Sequence, residues 1–417
     1  MHRPTRVPWV AALLVVASLA TADEPAPPPD PFLHRGRYEA SLLLRALAGV
    51  RDRGPALAFA AATVPGGRLV ARSPAPALLL SGTPAEIGRA HGTLLKSEIA
   101  ILHEHYLLAF LKKPEELARA REVATELEPF ISPRHREELA AMAEAAGLPL
   151  ADALLAQTFL DAYKVALCST AAVDARRSST GEPLVARNLD FPTLGIAHRA
   201  TVLAVVRPAG RFAFASVGWP GMTGALTGIN EHGLTLAVMV LHEGTPYRAG
   251  MPYTLVFRTI LEEAKTTDEA LELLRKAPRT TGNNLILCDR AGSIAVAEIT
   301  VEDVRVHRGT NGLVYSTNHC QRPAGAGPAH PSLTYPSSFA RYCAMARLLD
   351  GHERIGHEEL RRALSETAMR LTNIHSMVIA PRSAKLWLSC GAMPAADGPF
   401  HEIDLAPWLA GEGPAPR

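Results

Sequence analysis

One short stretch carries the residue types for nucleophilic chemistry. Cys168 stands at the head of a β-rich run, and nineteen residues later comes Arg187-Asn-Leu-Asp190. A thiolate is the attacking form of cysteine, and a nearby cation favours it over the thiol. The attack also needs a base. One source is a histidine side chain, with His319 and His375 as candidates, in a papain-like scheme without chain cleavage. The other is Cys168 itself. A break at Leu167-Cys168 leaves an α-amine beside the sulfur, and such an amine titrates at about 8. One residue then supplies nucleophile and base near neutral pH. Arg187 and Asp190, on or just past the adjacent strand, would hold that amine and the substrate carbonyl. The plainer alternatives are a buried apolar cysteine and a surface Arg–Asp pair contributing at most about 1 kcal/mol. Arg187 ends the apolar run Leu184-Val-Ala186, which favours a partly buried and specific role.

Other chemistries lack their motifs. There is no GxSxG, GxxxxGK[ST] or HExxH. His103 and His105 are two apart, so on a helix their side chains diverge. No cysteine pair has CxxC spacing. Gly218-Trp-Pro-Gly-Met-Thr-Gly224 lacks the strand-then-helix setting of a nucleotide loop. A metal site is therefore not indicated. The 43 basic and 41 acidic residues leave a net charge of +2, with no basic stripe to track a nucleic acid.

The elements that must position Cys168 divide into two textures. Residues 37–167 read as mainly helical. Thr83, Pro84 and Glu86 form a capping box with Pro in the first turn. Ser132-Pro133 opens a helix that Gly147 ends, and a third begins near Leu150 and runs toward Cys168. From Cys168 onward short strands separated by turn signals alternate with helix pairs near 253–274 and 337–365. Thr267 and Asp268 are candidate caps within the first pair. Strands alternating with helix pairs imply α+β layers rather than a parallel βαβ sheet.

The N-terminus reads as an export signal. His2, Arg3 and Arg6 precede the apolar run Val7–Leu19, and Ala20-Thr-Ala22 is a small-x-small cleavage site. The organisation expected is a signal over 1–22, a Pro-rich leader over 23–36, a helical propeptide-like segment over 37–167 and a catalytic domain over 168–417. The protein is expected to be secreted or periplasmic, with no stable membrane span once the signal is removed. Its five cysteines, Cys168, Cys288, Cys320, Cys343 and Cys390, leave at least one thiol unpaired within a monomer.

The chain resembles the N-terminal-nucleophile hydrolases of the penicillin acyltransferase and choloylglycine hydrolase/acid ceramidase group. Gly82-Thr-Pro-Ala-Glu-Ile-Gly-Arg-Ala-His-Gly92 is similar to the acyltransferase-type propeptide motif. Cys168-Ser-Thr resembles the nucleophile strand, and Arg187-Asn-Leu-Asp190 the Arg-x-x-Asp signature. Thr227-Gly-Ile-Asn-Glu-His-Gly-Leu234 resembles the family's Gly-x-Asn-x-x-Gly-Leu hairpin. Ser316-Thr-Asn318-His resembles the strand end with an oxyanion-hole or substrate-orienting Asn. Ser338-Phe-Ala-Arg341 resembles a late Ser-x-x-Arg helix, and Asn373–Pro381 with Leu386-Trp387 the closing hairpin. The chain departs from the pattern in having Leu167 where acyltransferase-type members usually have Gly. Its Cys-to-Arg hairpin is longer than in bile-salt hydrolases, and Val240 stands near the place of their post-hairpin Asn.

The resemblance implies a four-layer αββα sandwich preceded by the helical segment, removal of that segment by self-cleavage, and no cofactor. It implies attack by Cys168 on linear amide bonds of small N-acyl compounds through a thioester. Asp190 would orient the α-amine and Arg187 would sit near the sulfur and scissile carbonyl. Asn318 would serve the oxyanion and Arg341 would support the site. Acyl transfer to an amine acceptor and a non-catalytic binding protein on the same fold are the alternatives. The oligomeric state is left open.

Overall fold

The computed structural model describes residues 54–164, 166–241, 247–309, 311–321 and 335–412. The signal, the leader and the start of the helical segment lie outside them.

The segment before Cys168 is not helical throughout. Its described residues begin with three strands, β1 (Ala62–Val64), β2 (Gly67–Val70) and β3 (Ala77–Gly82). Short apolar runs such as Leu78-Leu-Leu80 carry no period that separates strand from helix, which is why the helical reading overran them. The helices follow as α1 (Pro84–Leu94), α2 (Lys96–Leu102), α3 (Pro114–Leu127), α4 (Pro133–Ala146) and α5 (Leu150–Ala162). A π-helical stretch, His103–Leu108, continues α2. The capping box at Thr83 is present, with Thr83 N donating to Glu86 Oε2 at 2.8 Å and Glu86 N to Thr83 Oγ1 at 3.3 Å. Gly147 ends α4 in the left-handed region at φ +74°. The propeptide-like motif has a packing reason. A Cβ on Gly88 would lie 2.1 Å from Glu138 O and one on Gly92 2.3 Å from Met142 O, so α1 and α4 touch backbone to backbone.

The remaining elements are β4 (Leu167–Val173), β5 (Leu184–Asp190), β6 (Val202–Pro208), β7 (Phe214–Gly218), β8 (Thr227–Asn230) and β9 (Thr235–Val240). Then come α6 (Tyr253–Glu263), α7 (Thr267–Lys276), β10 (Asn283–Cys288), β11 (Ile294–Ile299), β12 (Val304–Arg308) and β13 (Leu313–Ser316). The chain closes with α8 (Tyr335–Leu349), α9 (His357–Thr367), β14 (Asn373–Ala380), β15 (Lys385–Cys390), β16 (His401–Asp404) and α10 (Ala406–Ala410). The N-cap of α7 is Thr266, whose Oγ1 accepts from Glu269 N at 3.2 Å, one residue before the expected Thr267.

Two sheets result. A ten-stranded sheet runs β1-β2-β3-β6-β7-β8-β9-β10-β11-β12, and a six-stranded sheet runs β13-β4-β5-β14-β15-β16. They face each other through β4 and β13 against β9, β10 and β11. Helices α6 and α7 cover the outer face of the larger sheet, and α8 and α9 that of the smaller, which gives the four αββα layers. Both faces of β4 are therefore buried, and its alternation sorts side chains between two cores. Cys168 and Ala172 join the core between the sheets, while Ala171 and Val173 join Met345, Leu360 and Leu364 beneath α8 and α9. β3 pairs in parallel with β6, from Ala77↔Leu203 to Gly82↔Pro208. The N-terminal segment is thus built into the larger sheet. Among the described residues no helix is long and apolar enough to cross a membrane.

Candidate active site

The five residues singled out in the sequence converge at one end of β4. Cys168 is its second residue and is 1% exposed. Its backbone N donates to Asn318 Oδ1 at 2.8 Å. Its Sγ accepts from Arg187 Nη2 at 3.6 Å. Burial pushes the thiol above its ordinary range, and the Arg187 charge pulls in the opposite direction.

Arg187 pairs with Thr170 across β4 and β5, so its side chain enters the space between the sheets and reaches Cys168 diagonally. Its Nη2 also donates to Val238 O at 3.1 Å, and Nη1 donates to Thr227 Oγ1. These bonds give a purpose to the Thr227 hairpin. Asn230 shapes the same hairpin by accepting from His232 N and Leu234 N, and it ties the hairpin to α6 by donating to Leu261 O and Ala264 O.

Three residues on from Arg187, Asp190 points to the opposite face of β5. The two form no ion pair, so the surface-pair alternative fails. Asp190 Oδ1 accepts from Met369 N at 3.1 Å, while Oδ2 has no hydrogen-bond partner among the described residues. Burial lifts its carboxyl to about 6, against the pull of Arg341. Arg341, from α8, approaches on that helix-covered face. It donates to the Cys168 carbonyl, to Ser169 Oγ at 3.1 Å and to Asn318 Oδ1 at 3.0 Å.

Asn318 follows the end of β13 and spans the junction. Its Oδ1 holds Cys168 N, and its Nδ2 donates to Val240 O at 2.7 Å and to Ala166 O at 3.5 Å. Ser338 Oγ accepts from its backbone N at 2.8 Å. The Ser-x-x-Arg motif thus presents both residues one helical turn apart, Ser338 to the backbone of Asn318 and Arg341 to its side chain. Ser338, Thr227 and Ser169 were not named as site residues, although each lay inside a motif.

The histidines do not reach the sulfur. His375 Nε2 lies 2.8 Å from Thr201 Oγ1, and burial drives its imidazolium down to about 3. His319 Nδ1 lies 2.7 Å from Ser338 Oγ and is likewise driven down to about 4. His91 accepts from Gly221 N at 3.0 Å. Among the described residues Arg187 is the one hydrogen-bonding neighbour of Cys168 Sγ.

An apolar cavity of about 120 Å³ begins at the end of β5. Phe191, Trp219 and Met222 line one side, and Ile99, Leu107 and Phe159 of the N-terminal helices line the other. Met239 is not part of this lining and lies between the sheets against Thr170. The loop beneath the cavity is held from the N-terminal segment, since Gln157 donates to Gly221 O at 2.8 Å and accepts from Thr223 N at 3.0 Å.

The chain is similar to known proteins. The family described as acyl-coenzyme A:6-aminopenicillanic acid acyl-transferase matches residues 176–393. That range holds Arg187, Asp190, Asn318 and Arg341, and Cys168 lies just before it. The Dictyostelium discoideum protein dcd1B is 29% identical over 258 residues, 55% of this chain and 51% of that protein. The 40 kDa form of acyl-coenzyme A:6-aminopenicillanic-acid-acyltransferase from Emericella nidulans is 25% identical over 279 residues, 65% of this chain and 76% of its own. The N-acylethanolamine-hydrolyzing acid amidase of Oryctolagus cuniculus is 28% identical over 170 residues, 39% of this chain and 46% of its own. The chain spans about half the length of the Dictyostelium relatives it matches, 51% and 59%.

Proposed function

The chain belongs to the acyl-coenzyme A:6-aminopenicillanic acid acyl-transferase family, and on that premise we propose that it is a cysteine N-terminal-nucleophile hydrolase of N-acyl amides. It matures by cutting itself at Leu167-Cys168. Cys168 Sγ attacks the Leu167 carbonyl carbon, the Cys168 nitrogen leaves as a free α-amine, and water splits the resulting thioester to a Leu167 carboxylate. Arg187, 3.6 Å from the sulfur, favours the thiolate.

In turnover the thiol of Cys168 attacks the substrate carbonyl while its own α-amine takes the proton and passes it to the leaving amine. Asp190 Oδ2 receives the α-amine. Asn318 Nδ2, released from Ala166 O by the cut, donates to the oxyanion together with backbone N–H groups. Water resolves the acyl thioester, or an amine acceptor takes the acyl group. The apolar cavity beside Phe191 favours an apolar acyl chain. Export of the protein, read from residues 1–22, belongs to the same proposal.

The observation that carries this reading is the pair of bonds on Cys168, its nitrogen on Asn318 and its sulfur on Arg187, with no histidine at the thiol among the described residues. A base is then needed from the residue itself. Intact mass and N-terminal sequencing of the purified protein, followed by a panel of N-acyl amides, test it. A new terminus at Cys168, with amidase activity that Cys168→Ala abolishes, is the expected result. An uncut chain with full amidase activity rules out the α-amine as base.

A further inference from the structure

Asn284 is a polar residue in the interior of a fully buried strand, β10, where an unbonded amide costs on the order of 2–7 kcal/mol. Its pairing partner on β9 is Met239, whose sulfur meets Thr170 of β4, so this face looks across to the smaller sheet. Asn284 Nδ2 crosses that space. It donates to Thr317 O at 3.0 Å, to His319 O at 2.8 Å and to Ser316 Oγ at 3.2 Å. The two carbonyls flank Asn318. They also fix which way the amide faces, because the reverse orientation would set Oδ1 against two carbonyl oxygens. Oδ1 itself has no hydrogen-bond partner among the described residues. All of the side chain's bonding is spent on the turn that carries Asn318. Its neighbour across β11, Glu298, grips the same turn farther on by accepting from Gln321 N.

We propose that Asn284 is a positioning residue that aims Asn318 at the Cys168 junction. Asn284 holds the carbonyls on either side of Asn318 from the larger sheet, and Ser338 holds its N–H from α8. With the backbone fixed at three points, the Asn318 amide bridges Cys168 N and Val240 O. The inference rests on the reading of Asn318 as the group that holds Cys168 and serves the oxyanion.

The test compares Asn284→Ala and Asn284→Asp with wild type. For N284A the expected kcat falls about tenfold to a hundredfold, with KM changed less than about threefold, as for a misplaced transition-state donor. In N284D the ionised carboxylate donates nothing, but the protonated form donates one bond. Glu298, buried beside it, holds the new carboxyl protonated to higher pH, with His307, His319 and Arg341 the other titratable groups near this turn. The N284D-to-wild-type rate ratio is therefore expected to rise as pH falls. A ratio flat with pH, or an N284A kcat within twofold of wild type, overturns the proposal. N284D at low pH is neutral and isosteric, so that measurement stands if N284A does not fold. A crystal structure of either variant judges the clamp without any substrate. Asn318 displaced from Cys168 N is expected, and Asn318 unmoved overturns it. Equal turnover by wild type and Cys168→Ala instead defeats the functional reading, and leaves the crystallographic outcome to decide this one.

Discussion

Leu167 and Asp190 are direct partners across β4 and β5. The free Oδ2 of Asp190 therefore lies beside the residue whose departure exposes the α-amine of Cys168. A buried acceptor with no donor is costly in the uncut chain, and the amine made by the cut supplies the donor.

This relationship gives opposite pH trends for stability and activity. Burial raises the folded carboxyl of Asp190 to about 6 from an ordinary 3.8. Between about pH 4 and 6 the folded protein holds the proton that the unfolded chain has lost, so its contribution to stability falls as pH rises through that window. Asp190→Asn removes the penalty. The uncut variant is expected to unfold at higher urea than uncut Cys168→Ala above pH 6, by on the order of 1–3 kcal/mol, and to match it near pH 4. Activity runs the other way, because the ionised form holds the amine. Wild-type turnover should decline in acid as the Asp190 carboxyl protonates, at a lower pH than in the uncut chain because the new amine favours the ionised form, and D190N should lose most of it at every pH. Urea titrations and rates at pH 4, 6 and 8 check both.

Arg187 is expected to set the reactivity of the thiol. Replacing it with Met removes the cation nearest a thiol that burial already pushes up. The rate of Cys168 alkylation by iodoacetamide at pH 7 should fall about tenfold or more, with its midpoint moved to higher pH. Arg187→Lys keeps the charge but not the fork that reaches Thr227, Val238 and Cys168 together. It should retain labelling better than the Met variant and still mature slowly. Equal labelling in all three proteins would separate Arg187 from the sulfur.

The fold from Cys168 onward was largely legible in the sequence because its strands are short apolar runs whose turns are marked by Gly, Asn and Pro. Cys168, Arg187, Asp190, Asn318 and Arg341 were found through short motifs; Cys168, Arg187, Asn318 and Arg341 share one hydrogen-bond network, and Asp190 lies beside it across from Leu167. What was hidden had no local mark. β1–β3 lie in short runs of ambiguous period, and their parallel pairing with β6 is a long-range event. β12, with the charged face of Arg305 and His307, lacks the apolar content of its neighbours. Asn284 acts on an element distant in sequence, so nothing beside it in the chain shows what it holds, and Ser169, although inside the Cys168 motif, meets Arg341 only through the fold. The opposite directions of Arg187 and Asp190 follow from strand parity, but only once both are known to lie inside β5.

The N-terminal segment is expected to stay bound after the cut. Its β3 lies within the larger sheet, and Arg258 of α6 joins Glu138 of α4 through bonds of 2.6 Å from each terminal nitrogen. Arg258 also bonds Glu262 at 2.8 Å, and Glu262 meets His135 of α4 at 3.1 Å. Against the cost of burial, Arg258 and His135 hold the Glu262 carboxyl down to about 2. Its contribution is full above about pH 4.5 and is lost as pH falls toward 2. The matured protein should elute as one particle by size exclusion at neutral pH. Removing one member by Glu138→Gln leaves Arg258 short of a partner, at a cost of about 3–5 kcal/mol. The fragments of that variant should separate at markedly lower urea than those of wild type.

The cavity gives a prediction about substrate range that depends on the same attachment. Ala153 of α5 is buried and lines it opposite Trp219. Ala153→Phe narrows the space from the N-terminal side and touches none of the residues on Cys168. Each lost methylene-sized contact in an apolar pocket changes kcat/KM by about tenfold to two-hundredfold. The ratio of kcat/KM for a long-chain over an acetyl amide should therefore drop by at least tenfold, with the acetyl rate little changed. Trp219→Ala opens the other wall and is expected to shift the preference toward bulkier acyl groups, although it also forfeits the indole bond to Ala197 O. Opposite shifts in the two variants would assign the acyl chain to this cavity. Parallel losses on every substrate would instead assign both residues to support of the fold.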